Sequence, residues 1–125
     1  MELKFFICEH CGNIITMVDD KKVPVFCCGQ KMTPLVAGSK DAAVEKHVPE
    51  FTVNGNSVHV EVGSTLHPMT EEHLIRWIAI ATKNGCQIKK LTAEDEPKAD
   101  FTLADGDELV KVYAYCNLHG LWEAE

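Results

Sequence analysis

Phe51-Thr52-Val53-Asn54-Gly55-Asn56-Ser57-Val58-His59-Val60-Glu61-Val62 is two β-prone runs around an Asn-Gly turn. Alternation in the second run puts Val58, Val60 and Val62 on one face and His59 and Glu61 on the other. A strict period of two with a turn dipeptide predicts a half-buried β-hairpin. The pattern recurs downstream. Leu74–Thr82 is an apolar stretch ending at Asn84-Gly85, and Leu109–Cys116 alternates after the Asp105-Gly106-Asp107 turn. Short strands between turn signals predict a β-sandwich over residues 42–125. Thr70–His73 has room for one helical turn, too little to change a mainly β class.

Residues 1–36 are a different kind of chain. Their apolar mass is Leu3, Phe5, Phe6, Ile7, Ile14, Ile15, Val23, Val25 and Phe26, too little to fold on a core alone. A staple is needed, and cysteines supply it. Residues 37–41 read as a linker. The opening Met1–Ile7 reads as a strand and not as a leader peptide, because it runs at once into Cys8 with no small-residue cleavage site.

The 125 residues carry a net charge of −7, which argues against nucleic acid or an anionic membrane as partner. No apolar run reaches the length of a membrane span. The expected location is the cytoplasm, where cysteines hold metal more often than they form disulfides.

Four of the six cysteines lie at Cys8, Cys11, Cys27 and Cys28. A C-x2-C turn lets two thiolates converge on one ion, and a facing loop brings the second pair. Four thiolates suit tetrahedral iron or zinc. The adjacent pair predicts a distorted tetrahedron. Such a site has no vacant position and repels anions, so it passes electrons or holds the fold. His10, inside the knuckle, is expected to be exposed.

A second set comprises His47, His67, His73, Cys116 and His119. His67 precedes Pro68, which keeps it out of the helical region. Five donors around an octahedral metal leave one position open. Four neutral imidazoles and one thiolate give a cationic centre suited to a small anion. His59 alternates out of the valine face and is expected on the surface. Cys86 reads as a free thiol.

These motifs carry a resemblance. Cys8-x2-Cys11 with Cys27-Cys28-Gly29 resembles a desulforedoxin-like, rubredoxin-type domain. Glu45-Lys46-His47-Val48-Pro49, Leu66-His67-Pro68-Met69, Glu72-His73-x3-Trp77 and Cys116-Asn117-Leu118-His119-Gly120-Leu121-Trp122 resemble the catalytic domain of the desulfoferrodoxins, two-iron superoxide reductases. The resemblance runs end to end. It implies an immunoglobulin-like sandwich, a homodimer and two irons per chain, with rubredoxin-like donors supplying electrons. His47, His67, His73 and His119 would be equatorial ligands and Cys116 the axial thiolate. Lys46 would draw superoxide to the open position, and Glu45 would cap that position after peroxide leaves. The apolar stretch Leu74–Ala81 is a candidate contact for a second copy. Two rivals remain at this level: an electron-transfer copper protein built on Cys-x2-His, and a non-catalytic module with zinc in the cysteine site.

Overall fold

The computed structural model describes residues 2–125, which form two compact units, Leu3–Val36 and Ala37–Glu125 together with Glu2. The first is built from pieces of two or three residues. Strands β1 (Phe5–Ile7), β2 (Ile14–Thr16) and β5 (Thr33–Pro34) form a sheet in the order β2-β1-β5. Strands β3 (Phe26–Cys27) and β4 (Gln30–Lys31) form a separate hairpin. Of the opening run expected to be extended, Phe5–Ile7 is strand; Met1 lies outside the described residues.

The larger unit is two antiparallel sheets around one core. Strands β6 (Pro49–Asn54), β7 (Ser57–Val62) and β10 (Lys98–Thr102) form the first, in the order β10-β7-β6. Strands β8 (Ile75–Thr82), β9 (Cys86–Lys90), β11 (Leu109–Cys116) and β12 (Gly120–Ala124) form the second, in the order β12-β11-β8-β9. Val58, Val60 and Val62 from one sheet meet Ile75, Ile78, Ile80, Val112, Ala114 and Cys116 from the other in a single buried cluster. Burial at about 25 cal/mol per Å² of apolar surface makes such a cluster the main source of stability. Cys116 thus ends a core strand, and a buried wall fixes its sulfur.

Three local details differ from the sequence expectation. Asn54 pairs with Ser57, so the hairpin loop is Gly55-Asn56, one residue later than the Asn-Gly dipeptide suggested. Gly55 has φ +61° and Asn56 is not left-handed, the pattern of a II′ turn with glycine first. Thr70–His73 is not helical. It is a tight turn in which the backbones of Thr70 and His73 bond each other in both directions. The helical turn lies instead at α1 (Val44–His47).

The stretch expected to face a second copy is core. Strand β8 is paired on both edges, and Ile75, Ile78, Ala79, Ile80 and Ala81 are fully buried. Among the described residues, no helix is long and apolar enough to cross a membrane.

Candidate metal centres

Backbone turns build the cysteine cluster. The N–H of Gly12 donates to the Cys8 carbonyl and the N–H of Cys8 to that of Asn13, both at 2.8 Å, which folds Cys8–Asn13 into a knuckle. The N–H of Cys11 donates to the Cys8 sulfur at 3.5 Å. Opposite, Cys27 pairs with Gln30, leaving Cys28-Gly29 as a two-residue loop. Both loop residues are left-handed, at φ +55° and +72°, as a I′ turn requires. A non-glycine residue there is held against a cost of about 1 kcal/mol. That conformation turns Cys28 out of the strand direction, so two adjacent sulfurs reach one point.

The four sulfurs lie within 4.8 Å of one another. Cys11 and Cys27 Sγ are 3.6 Å apart, close to the edge of a tetrahedron with metal–sulfur bonds of about 2.3 Å. The thiols also conflict in charge. The Cys11 amide lowers the Cys8 pKa to about 6, while the Cys11 sulfur beside it pushes Cys28 up to about 12. One thiolate suppresses its neighbours unless a cation sits among them. The donor set fits a tetrahedral metal. His10 is exposed.

The second cluster comes from four places in the larger unit. His47 ends α1, His67 lies in the β7–β8 connection, His73 lies in the turn before β8, and Cys116 and His119 flank the β11–β12 loop. His47, His67, His73 and Cys116 bring their ligating atoms within 4.8 Å of one another. His119 joins them, its Nδ1 being 3.1 Å from His47 Nε2 and 3.9 Å from Cys116 Sγ.

The four imidazoles form a closed square. Neighbouring ring centroids are 4.7 Å apart for His47–His67, 4.6 Å for His67–His73, 5.2 Å for His73–His119 and 4.9 Å for His119–His47. The His47–His73 diagonal is 6.4 Å. Each ring stands nearly edge-on to the next, at 78°, 81°, 75° and 86°, while the diagonal pair is inclined by only 28°.

Hydrogen bonds set which nitrogens face inward. His47 Nδ1 bonds the Ala43 carbonyl and His67 Nδ1 the Pro68 carbonyl, each at 2.7 Å. A carbonyl only accepts, so both rings carry hydrogen on Nδ1 and leave Nε2 with its lone pair. Those two Nε2 atoms face each other at 3.2 Å. His73 Nε2 is buried with no hydrogen-bond partner. Lone pairs facing each other and an orphaned buried nitrogen are costly without a cation. Burial lowers the pKa of His47 and His73 and takes His67 down to about 4, keeping the imidazoles in the neutral form that binds metal. Burial raises the Cys116 thiol, whose sulfur accepts the His119 N–H at 3.4 Å. The imidazole nitrogens and the Cys116 sulfur are a donor set that fits a transition metal.

Glu45 and Lys46 lie exposed on α1, directly before His47. The Lys46 charge reaches His47 and His73 and adds to burial in opposing their protonation. Their turn rests on Gly63, where a Cβ would come within 2.7 Å of the Glu45 carbonyl oxygen. The Thr65 N–H and the Ser64 hydroxyl donate to that same oxygen, at 2.9 and 3.2 Å. Gly63 has no recognisable sequence signature. Nor do the Ala43 and Pro68 carbonyls. Trp122, which closes the Cys116–Trp122 motif, donates its indole N–H to the His119 carbonyl at 3.0 Å, and its ring lies 5.2 Å from His47.

Residues 39–125 match the family model described as Desulfoferrodoxin. The chain belongs to the desulfoferrodoxin family. A desulfoferrodoxin homolog of Archaeoglobus fulgidus is 41% identical over 122 residues, covering 98% of this chain and 96% of that protein. The crystal structure of the superoxide reductase from Treponema pallidum is 37% identical with a TM-score of 0.85, and all of both chains is covered. The one-iron superoxide reductase of Giardia intestinalis is 40% identical with a TM-score of 0.53, covering 64% of this chain and 95% of that one. The desulfoferrodoxin likeness thus spans both clusters, while the Giardia chain matches a smaller share.

His59 and Cys86 stand apart from both clusters. His59 bonds Asp100 at 2.6 Å and Glu61 at 3.1 Å on the exposed side of β7. Cys86 is an exposed free thiol.

Proposed function

We propose that this desulfoferrodoxin is a superoxide reductase, with mononuclear iron held by His47, His67, His73, His119 and Cys116. The observation that carries the reading is the closed ring of four imidazoles with a cysteine sulfur beside it. The chemistry iron would supply there is one electron to superoxide, which with two protons becomes hydrogen peroxide, no dioxygen being formed.

The protein's own residues prepare that event. Imidazole ligands bring no charge of their own and would leave the metal's positive charge uncancelled, and the Cys116 thiolate would offset one unit of it. The exposed Lys46 ammonium, whose charge reaches His47 and His73, would draw in the anion and help hold water that delivers protons. Steering of this kind raises on-rates by roughly 10–10³ and weakens with salt. Glu45, on the same anchored turn, would supply the carboxylate that caps the iron after product leaves. Cys8, Cys11, Cys27 and Cys28 would hold a second iron that relays electrons or secures the small unit.

The reading further takes residues 1–36 as a desulforedoxin-like domain, 37–41 as a linker and 42–125 as an immunoglobulin-like catalytic domain. It includes a rubredoxin-like electron donor, a homodimer and a cytoplasmic location, where reduction keeps six thiols free. A blue-copper site needs two imidazoles and one thiolate; four converging rings favour the five-donor iron.

The test is anaerobic loading with iron followed by pulse-generated superoxide. Two irons per chain and peroxide without dioxygen are expected. A fully loaded protein that leaves superoxide untouched would overturn the proposal.

A further inference from the structure

The imidazoles of the second cluster are not all aimed in the same way. His47 and His67 are fixed by their own Nδ1 bonds to carbonyls. The His73 ring makes no such bond among the described residues, and its buried Nε2 has no partner. Its aim therefore depends on the flanking His67 and His119 rings and on the backbone that carries it.

That backbone is held from two sides. Thr70 bonds the N–H and carbonyl of His73 itself. Asn117 holds the peptide groups on either side. Its Oδ1 accepts the Leu74 N–H at 3.0 Å, and its Nδ2 donates to the Glu72 carbonyl at 2.9 Å. Its own backbone N–H donates to the Leu74 carbonyl at 3.3 Å. Asn117 directly follows Cys116, so one residue joins the strand end bearing the sulfur to the turn bearing the imidazole.

We propose that Asn117 is a positioning residue whose carboxamide clamps the peptides flanking His73 and so sets that imidazole relative to the Cys116 sulfur. The inference rests on the second cluster being the catalytic metal site. The residue type follows from the geometry. The site needs one acceptor and one donor on a short stem, and a carboxamide supplies both. An aspartate keeps the acceptor for Leu74 but offers no hydrogen to the Glu72 carbonyl. An alanine offers neither. Partners that orient a metal ligand are typically worth about 10–100-fold in metal affinity.

The experiment measures anaerobic ferrous affinity at the second cluster by chelator competition, with the cysteine site followed separately. The variants are Asn117→Ala, Asn117→Asp, His73→Ala and His67→Ala, together with each Asn117 variant combined with each histidine variant. Asn117→Ala should weaken binding about tenfold, the low end of that range, and Asn117→Asp by less. The decisive quantity is the coupling, since residues acting as one unit are not additive. Asn117→Ala should cost nothing further once His73 is gone, but should keep its full cost in the His67→Ala background. Equal losses in both backgrounds would mean general loosening and would overturn the clamp. So would wild-type affinity in Asn117→Ala beside a weakened His73→Ala. If His73→Ala itself binds ferrous iron normally, the ligand reading falls and takes the clamp with it. Should the alanine variant not fold, the isosteric aspartate carries the same comparison.

Discussion

The two clusters solve opposite problems. The cysteine cluster is made within 21 residues of chain, from two tight turns, with Cys11 and Cys28 exposed. The histidine cluster gathers residues from 47 to 119, with His47, His67 and Cys116 buried. Four thiolates around a ferric ion leave one net negative charge; four imidazoles and one thiolate leave two positive ones. Local turns suffice where the ligands carry the charge and no position need stay open. An anion-receiving centre would need neutral ligands, and burial favours the neutral form of His47, His67 and His73, which takes a packed sheet core beside them. The small unit has little core beside its site, whereas the large unit carries its site at the ends of core strands.

That contrast can be broken most severely at Cys116. Cys116→Ser should abolish superoxide turnover while leaving the tetrathiolate absorption spectrum intact; full activity in that variant would remove the axial thiolate from the mechanism. Next comes Gly63→Ala. A methyl group there meets the Glu45 carbonyl at 2.7 Å and the Val48 carbonyl at 2.9 Å, both backbone atoms that cannot swing aside. The expected cost is about 1–3 kcal/mol, read as a lower thermal midpoint of the larger unit with weaker iron retention. An unchanged midpoint would show that α1 does not rest on this glycine.

Lys46→Ala should slow superoxide capture by up to about tenfold at low salt and flatten its ionic-strength dependence. Identical rates at every salt concentration would exclude Lys46 from steering. The smallest effect belongs to His59, a histidine of the same unit outside the square. Glu61 and Asp100 raise its pKa, the reverse of the buried rings. Its protonated form therefore stabilises the fold fully below the unfolded value of about 6.5. That contribution fades as pH rises through the raised folded value. The side chain is 40% exposed, so solvent screening limits the effect to about 0.5 kcal/mol. His59→Gln should flatten thermal stability against pH over that window without altering metal content.

Spacing made the cysteine cluster legible, since both halves are local. The valine alternation over Val58–Val62 likewise located a core face. The histidines were harder. His67 and His73 are six residues apart, but no spacing ties them to His47 and His119; the joint pattern with the Cys-x2-His end grouped them, and the resemblance gave each its role. Still less visible were the Gly63 shelf under α1, the Ala43 and Pro68 carbonyls and the Asn117 bonds to Glu72 and Leu74. Each depends on an approach made only after the sheets have formed, or on a backbone oxygen every residue has. The apolar run of β8 misled for a related reason: hydrophobicity reports burial without saying whether the covering comes from its own chain or another.

The pinwheel of rings has a consequence of its own. Each imidazole is an edge-on stop for the two beside it, so rotation about any one side chain is blocked by its neighbours' flanks. Trimming one corner should loosen the two adjoining corners and spare the far one. In ring-specific NMR, mobility should therefore spread around the perimeter in both directions before it crosses the diagonal.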